Sequence, residues 1–148
     1  MIRFRDARRE DVAAILALLA DDALGAQRET APLETYLAAF DRMAAAPGML
    51  LIVGEQEGRV VATYQLAILP GLSLRAATRA LVEAVRVASD LRSQGIGADL
   101  MADAEARARA AGATLVQLTT HRSRERAHRF YERLGFTASH IGYKRALD

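Results

Sequence analysis

The spacing of apolar positions predicts a short strand followed by two helices in the first third of the chain. Residues 2–5 alternate apolar and charged side chains, as in a half-buried strand. Apolar residues then recur every three to four positions over 12–19 and 33–43, a spacing that places them on one face of a helix. Residues 25–31 form a polar break between these helices, and Pro32 suits a first helical position. The predicted buried faces comprise Val12, Ile15, Leu16, Leu19, Leu33, Leu37, Phe40 and Met43.

The middle of the chain is typical of a β-hairpin followed by a third strand. Apolar runs at 49–53 and 60–69 flank a polar stretch in which Gly58 suits a tight turn. A loop over 70–78 ends the hairpin, because Pro and Gly interrupt the apolar pattern there. The apolar run at 81–87 is the next predicted strand.

The last third of the chain predicts a helix, a strand, a second helix and a final strand. The first helix begins at a pair of glycines and ends near Gly112, a plausible helix cap. A strand over 115–120, a helix over 127–134 and a strand over 136–145 follow. The first helix and the strands on either side of it form a βαβ unit, which is expected to be parallel and right-handed. The buried stripe of that helix consists of Ile96, Leu100, Met101 and Ala104.

These elements together predict one α/β (α+β) domain over residues 1–148. About six strands and about four helices occur in an order that is neither strictly alternating nor of one type. A mixed sheet flanked by helices is the simplest architecture for such an order.

The amino-acid composition excludes several kinds of site and argues against some partners. The chain of 148 residues has a net charge of +2 and no cysteine, which excludes disulfides, thiolate zinc sites and cysteine nucleophiles. The three histidines lack metal-ligand spacing, so no metal site is expected. No apolar run approaches membrane length and residues 1–6 lack the apolar core of a secretion signal, so we expect a cytoplasmic protein without a membrane partner. Basic residues alternate with acidic ones, even in the densest basic stretch at 121–133, so nucleic acid is not an expected partner.

Residues 85–97 carry the most informative chemistry in the sequence. A β-branched run leads into a polar turn, and Gly95 and Gly97 then open the long helix. The first turn of a helix has unpaired N–H groups and a partial positive charge, so it can bind a phosphate group. A Rossmann fingerprint would need glycine where Leu100 stands, and a Walker loop would need the Gly-Lys-Ser/Thr that is absent here.

Two segments resemble the motifs of the GNAT N-acetyltransferases. Residues 92–97, Arg-Ser-Gln-Gly-Ile-Gly, resemble the pyrophosphate loop of that superfamily, which is Arg/Gln-x-x-Gly-x-Gly/Ala. Residues 127–136, Ala-His-Arg-Phe-Tyr-Glu-Arg-Leu-Gly-Phe, resemble its Ala-x-x-Phe/Leu-Tyr-x-x-x-Gly-Phe segment at the expected spacing. The order of predicted elements is similar to the GNAT fold over essentially the whole chain, and the resemblance implies a mixed, mostly antiparallel sheet.

The resemblance implies acetyl-CoA as co-substrate. Its pyrophosphate would lie on the N–H groups of residues 94–98, and its pantetheine arm would pair like an extra strand with the main chain of Val85 and Val87. The Val85 N–H would then stabilise the oxyanion that forms at the thioester carbonyl, a contribution of roughly 3 kcal/mol for one such donor. The implied cofactor-binding residues are Val85, Val87, Arg92, Ser93, Gln94, Gly95, Ile96, Gly97, Ala98, Arg124 and Tyr131.

Tyr131 is the first candidate catalytic residue. The matching tyrosine in this superfamily lies near the CoA sulfur and protonates the departing thiolate, and a phenol is a suitable proton donor. Alternatively, Tyr131 is a core aromatic residue beside Phe130 and Phe136, or its hydroxyl orients the thioester without proton transfer.

Glu83 is the second candidate catalytic residue, because it is an acid inside an apolar strand. Alternation along a regular strand places Glu83 on the same face as Val85. Many GNAT enzymes have a glutamate on this strand that accepts the amine proton, often through water. The alternative is a structural ion pair with Arg79 or another neighbour.

Two further residues depart from the family pattern or leave their role open. Arg124 stands where the family often has an asparagine, and an arginine there could reach a phosphate of CoA. His121 ends the strand next to the implied acetyl site, where it would contact substrate or shuttle protons, or simply hydrogen-bond at the end of the strand.

The resemblance implies that the acceptor binds at two loops, residues 25–31 and 71–78. Guanidinium groups in these loops suit a carboxylate or phosphate on the acceptor, although surface positions are common for arginine in a chain with nineteen of them. The candidate substrate-binding residues are Arg28, Glu29, Arg75 and His121.

The sequence therefore predicts an enzyme that transfers acetyl from acetyl-CoA to a primary amine of a small molecule or peptide, by direct attack in a ternary complex. The alternative is a non-catalytic module that binds or senses acyl-CoA. A homodimer through the C-terminal strand is common among GNAT proteins, and the sequence leaves the oligomeric state of this chain open.

Overall fold

The structure is a computed structural model that describes all 148 residues, from Met1 to Asp148. The chain forms two compact units, residues Met1–Gln117 and Leu118–Asp148. None of its helices combines the length and the apolar character needed to cross a membrane.

A five-stranded mixed sheet forms the centre of the first unit, and its strands are ordered as they occur in the chain. The first four strands are paired antiparallel, and the predicted hairpin is confirmed. Glu57 and Gly58 both have positive φ, 52° and 77°, the conformation of a tight hairpin turn. The strands are β1 (Arg3–Asp6), β2 (Met49–Gln56), β3 (Arg59–Leu69), β4 (Arg79–Val87) and β5 (Leu115–Leu118).

Four helices of six or more residues belong to the first unit, one more than the pattern predicts for this part of the chain. The predicted polar break at 25–31 is wrong over its first half, because a short helix occupies it. The Asp22 carboxylate accepts a hydrogen bond from Gly25 N at 2.6 Å and caps this helix. Gly25 is buried, and a Cβ there would lie 1.8 Å from the Leu19 carbonyl oxygen. The helices are α1 (Val12–Leu19), α2 (Ala23–Arg28), α3 (Leu33–Ala45) and α4 (Ile96–Ala110).

The sheet is covered by helices whose apolar stripes follow the predicted spacing closely but not completely. Val12 and Ile15 of α1 are buried as predicted, and Leu18, rather than Leu16 or Leu19, completes the buried face. Leu18 packs with Val61 of β3. The predicted stripe of α4 (Ile96, Leu100, Met101 and Ala104) is confirmed as buried, whereas Leu33 of α3 is exposed.

A polar network anchors the middle of α4 to the sheet. Tyr64 of β3 is fully buried, and its hydroxyl donates to Asp103 Oδ2 at 2.5 Å. Arg107 Nε donates to the same oxygen at 2.8 Å, and Arg107 Nη2 donates to the carbonyl of Phe4 at 3.3 Å. Burial, followed by the bond to Asp103, raises the pKa of Tyr64 far above its ordinary value, so the hydroxyl remains a donor.

The second unit contains α5 (Glu125–Arg133), and Gly135 follows it with a φ of 93°. The predicted final strand at 136–145 is wrong, because these residues have no regular secondary structure. Ser139 N donates to the carbonyl of Thr137 at 2.9 Å, a local bond that extended backbone does not make. An apolar alternation in the sequence forms a strand only when a neighbouring strand pairs with its N–H and C=O groups. The sheet consequently has five strands rather than about six.

Candidate active site

The loop between β4 and α4 has the backbone geometry of an anion site. Gly95 begins α4 with a φ of 85°, and no atom lies within 4 Å of where its Cβ would stand, so its conformation alone calls for glycine. Ser93 also has positive φ, 66°. The first helical bond runs from Asp99 N to the Gly95 carbonyl, which leaves the N–H groups of residues 96–98 without an acceptor inside the helix. Residues 92–95 are exposed, so an anion can reach these donors from solvent.

A β-bulge interrupts β4 immediately before Val85. Thr63 pairs with Arg86 and Gln65 pairs with Glu83, so Tyr64 alone opposes the two residues Ala84 and Val85. Ala84 has a φ of 54°, in the left-handed region.

The bulge corrects the predicted orientation of Glu83. Directly paired residues share a face of the sheet, and residues two apart on β3 share a face as well. Glu83 therefore shares its face with Arg86, and the prediction that it shares the face of Val85 is wrong. The alternation argument assumed a regular strand, and the extra residue in β4 reverses it. Glu83 is exposed at this position.

At the end of β4, alternate residues direct their main-chain N–H and C=O groups away from β3. Ala88 N donates to the Val61 carbonyl at 2.8 Å, so by alternation the N–H and C=O groups of Val85 and Val87 are directed to the opposite edge. β5 begins beside the start of β4, where Thr114 N donates to Thr78 O at 3.0 Å. The end of β4 thus offers an edge with the donors and acceptors that an extended amide chain can match.

Two arginines occupy the carbonyl groups of this edge and also reach the junction between α1 and α2. Arg92 Nε donates to the Val87 carbonyl at 3.3 Å, and its Nη2 donates to the Asp21 carbonyl at 3.3 Å. Arg86 Nη1 donates to the Val85 carbonyl at 2.9 Å, and its Nε lies 3.6 Å from Asp22 Oδ2. Sequence reasoning identified Arg92 but missed Arg86, since a regular strand gives no reason to single it out.

An exposed ion pair between Arg59 and Asp90 lies at the start of the loop between β4 and α4. Both terminal nitrogens of Arg59 donate to the Asp90 carboxylate at 2.9 Å, and this bonding lowers the pKa of Asp90. Gln94 Nε2 donates to the Asp90 carbonyl at 3.5 Å. The loop is therefore connected to the start of β3 through Asp90.

No hydrogen bond connects the predicted acceptor-side residues Arg28, Glu29 and Arg75 to one another. Arg28 is exposed at the end of α2, and Glu29 accepts a hydrogen bond from the Tyr36 hydroxyl at 3.2 Å. Arg75 is exposed in a one-turn segment, Ser73–Ala76, where it has a φ of 59°. Leu74 and Ala76 on either side also have positive φ, so this turn is strained.

Tyr131 lies in α5 of the second unit, half-buried between two aromatic rings. Its ring meets that of Phe130 edge-on at a centroid distance of 5.1 Å and that of Phe136 at 5.8 Å. This packing restricts the rotamers of the tyrosine and so fixes the direction of its hydroxyl.

His121 and Arg124 belong to the turn that precedes α5. Arg124 N donates to the His121 carbonyl at 2.9 Å, and His128 Nε2 donates to the same oxygen at 3.0 Å. His121 Nδ1 accepts from Ser123 N at 3.1 Å, and its ring is exposed. The structure therefore accounts for these residues as parts of a turn that begins the helix.

The family assignment comes from a model of the acetyltransferase (GNAT) family, which matches residues 12–136. This match includes the loop at Gly95, the bulged strand and α5. The chain belongs to the GNAT acetyltransferase family. The acyltransferases of this family use acetyl-CoA and act on amine acceptors.

Individual relatives of this GNAT protein carry different descriptions. An aminoalkylphosphonate N-acetyltransferase of Salmonella typhimurium is 44% identical over 66 residues, 45% of this chain and 43% of that protein, so the match spans less than half of either. The structure of a transcriptional regulator from Bacillus halodurans has a TM-score of 0.94 at 37% identity, covering 99% of this chain and 100% of that one. An acetyltransferase from Trypanosoma brucei has a TM-score of 0.81 at 27% identity, with 99% and 100% coverage.

Proposed function

We propose that this GNAT protein transfers the acetyl group of acetyl-CoA to a primary amine of a small molecule or peptide, by direct attack in a ternary complex. The observation that carries the proposal is the meeting of two features at the end of β4. The exposed loop at Gly95 suits a pyrophosphate, and the adjoining edge at Val85 and Val87 suits an amide-bearing chain. CoA carries both groups, joined to one another.

The cofactor-side roles follow from these two features. The N–H groups of residues 94–98 bind the pyrophosphate, and Arg92 adds a guanidinium beside them. The main chain of Val85 and Val87 pairs with the pantetheine amides. When bound, acetyl-CoA supplies the activated acetyl group. The Val85 N–H then donates to the thioester carbonyl oxygen and stabilises the negative charge that develops there.

The proton transfers are assigned to two side chains. As the amine nitrogen bonds to the carbonyl carbon and the carbon–sulfur bond breaks, Glu83 takes the amine proton and Tyr131 donates a proton to the thiolate. Because Glu83 is exposed and shares a face with Arg86, its route to the amine runs through water. The exposed imidazole of His121 is the second candidate for the proton route.

Aminoalkylphosphonates are the first acceptor class to test. The Salmonella relative is described as acting on them, and an acceptor with an anionic group suits the arginines that the sequence places on the acceptor loops. Arg28 and Arg75 are both exposed and can reach a ligand from solvent.

A thiol-release assay tests the proposal. Purified protein is mixed with acetyl-CoA and a panel comprising 2-aminoethylphosphonate, amino acids, polyamines, aminoglycosides and peptides. Because the chain has no cysteine, every thiol that appears comes from CoA. Thiol release above hydrolysis with one acceptor class is the expected result. Acetyl-CoA binding without release for any acceptor would favour the sensor interpretation, and absence of binding would refute the cofactor assignment.

Replacing Tyr131 by Phe tests the general acid. We expect acetyl-CoA affinity to be preserved and turnover to fall roughly 10²-fold, the usual contribution of proton transfer. Tyr143→Phe is the matched control, because Tyr143 is exposed and lacks an aromatic partner in its surroundings. Unchanged turnover in Tyr131→Phe would remove the hydroxyl from the mechanism and leave a packing role.

A further inference from the structure

The junction between α1 and α2 is attached to β4 at two neighbouring points. The carbonyl of Asp21 is bound by Arg92, and the carboxylate of Asp22 is paired with Arg86. Arg92 also donates to the Val87 carbonyl and Arg86 to the Val85 carbonyl, and both carbonyls lie on the edge that the proposed function assigns to pantetheine. The acceptor side and the cofactor side of the candidate site are thereby mechanically connected.

Of these two connections, the one through Arg86 is the more enclosed. The Arg86 side chain is 15% exposed and the Asp22 side chain 23%, whereas Arg92 is exposed. An enclosed ion pair is screened less by salt and holds its partners more firmly than a pair in water. Losing one partner of such a pair destabilises the other, which is left as a partly buried charge.

Asp22 transmits this connection into α2. Its carboxylate accepts from Gly25 N at 2.6 Å and so defines the first turn of the helix. Arg28, at the end of α2, is one of the candidate acceptor-binding residues. The position of Asp22 therefore decides where the following six-residue helix presents Arg28.

The bulge in β4 makes this arrangement possible. In a regular strand, residues three positions apart lie on opposite faces, so Arg86 would face away from Glu83. With the bulge, Arg86 and Glu83 share a face, so the proposed base and the connection to α2 are on the same side of the sheet. The Val85 carbonyl has two lone pairs, so it can accept from Arg86 and from a pantetheine amide together.

We propose that Arg86 is a positioning residue for the acceptor, acting through Asp22 to fix α2 against the end of β4. The inference deepens the proposed function and rests on it for the identity of the acceptor. Arg86 itself contacts neither the acetyl group nor the amine. Its effect is on the productive placement of the acceptor relative to Val85 and Glu83.

Three variants and their combination test the role of Arg86. Arg86→Met removes the ion pair and keeps most of the side-chain volume, and Arg86→Lys keeps the charge without the planar fork. Asp22→Asn removes the charge but preserves the helix cap, since asparagine caps helices as well as aspartate does. Arg9→Met is the control for loss of an ion pair, because Arg9 pairs with Asp41 of α3 at 3.1 Å and not with β4 or α2.

The expected result is a split between acceptor and cofactor parameters. With 2-aminoethylphosphonate or the best acceptor of the panel, Arg86→Met raises the acceptor KM about tenfold and changes the acetyl-CoA Kd less than about threefold. Arg86→Lys recovers part of the loss. The double variant Arg86→Met/Asp22→Asn is no worse than Arg86→Met alone, because both changes break one connection. Additive effects, or an unchanged acceptor KM, would overturn the proposal.

Hydrogen exchange separates this inference from the proposed function. The amides of Gly25 and Ala26 bond to Asp22, to its carboxylate and its carbonyl respectively. We expect both amides to exchange at least about fivefold faster in Arg86→Met and at the original rate in Arg9→Met. If exchange accelerates while no acceptor of the panel is acetylated, the connection stands and the acceptor class is wrong. If exchange in α2 does not change, Arg86 does not fix α2.

Discussion

The N-terminal end of α4 and the middle of α4 differ in whether their polar groups are open to solvent or bonded within the protein. At the N-terminal end, Gly95 and the residues around it are exposed, and the free N–H groups of the first turn face solvent. Midway along the helix, Asp103 is enclosed by Tyr64 and Arg107, and each donates to the same carboxylate oxygen. One end is open to a ligand, and the middle is closed by the protein itself.

This difference explains how a ligand site can be both exposed and well ordered. A loop with few buried contacts is expected to be mobile. Here the helix that follows the loop is fixed to β3 by Tyr64 and to β1 through the carbonyl of Phe4. Its N–H groups therefore keep their direction before a ligand binds, and less ordering is required on binding.

Removing the anchor should have the largest effect. Asp103→Ala leaves the buried Tyr64 hydroxyl without its acceptor and takes a carboxylate from Arg107, so we expect a loss of about 3 kcal/mol in the free energy of unfolding. Chemical denaturation measures it. Glu105→Ala, at an exposed position of the same helix, should change stability by less than about 0.5 kcal/mol. Equal losses in the two variants would show that the network does not anchor α4.

Changing the open end should affect binding more than stability. Gly95→Ala forces a left-handed alanine into the loop and adds a methyl group where the pyrophosphate is proposed to lie, so we expect about a tenfold higher acetyl-CoA Kd. Calorimetry measures this change.

Gly112→Ala is the matched control for Gly95→Ala. Gly112 follows the other end of α4, has a φ of 84°, and likewise has no atom within 4 Å of its missing Cβ. The backbone penalty should be similar, while the Kd stays unchanged. A parallel rise in Kd for both variants would mean that helix stability, and not the loop, governs binding.

The smallest effect concerns pH and contrasts an enclosed ion pair with an open one. The bond from Arg5 lowers the pKa of the largely buried Asp11 below its ordinary 3.8. Its contribution is therefore complete above that value and is lost as the pH falls through the lowered pKa. We expect Asp11→Asn to lower the free energy of unfolding by about 1 kcal/mol at pH 7. When the pH is brought below 4, the free energy of unfolding should fall less in the variant than in the wild type.

Asp90→Asn provides the comparison, because the pair between Asp90 and Arg59 is exposed and screened by salt. Acid unfolding in about 0.5 M salt should then be the same for Asp90→Asn and the wild type. If the free energy of unfolding of Asp11→Asn and of the wild type fell identically with pH on the acid side, Asp11 would not be the group whose protonation destabilises the fold.

Much of the first unit could be predicted from the sequence because its signals are local. The hairpin turn at Gly58, the buried stripe of α4 and the glycine loop each depend on residues a few positions apart. The helix α2 was missed because it is six residues long, and a buried glycine packed against the Leu19 carbonyl decides it. The prediction of a strand over 136–145 was wrong because local alternation is not sufficient: a strand also needs a neighbouring strand to pair with, and these residues have none.

In the candidate site, the backbone could be predicted from the sequence, whereas the faces of the side chains depend on register and could not. The start of α4 at Gly95 follows from a strand that ends in glycines. The face of Glu83 and the contacts of Arg86 depend on one extra residue in β4. No periodicity in the sequence marks that residue, because alanine has no preference for the left-handed conformation that Ala84 adopts. Whether Tyr131, Arg124 and His121 act as proposed stays a prediction.

The bulge at Ala84 also has a genetic consequence. An in-frame loss of that single codon would remove the bulge, leaving Tyr64 opposite Val85 alone and β4 without the local bend that a bulge gives a strand. Substitutions at Ala84 retain the residue count and with it the bulge. Natural variation at this point of the gene should therefore consist of replacements and not of length changes, whereas the exposed turn at Gly58 can tolerate a change of length.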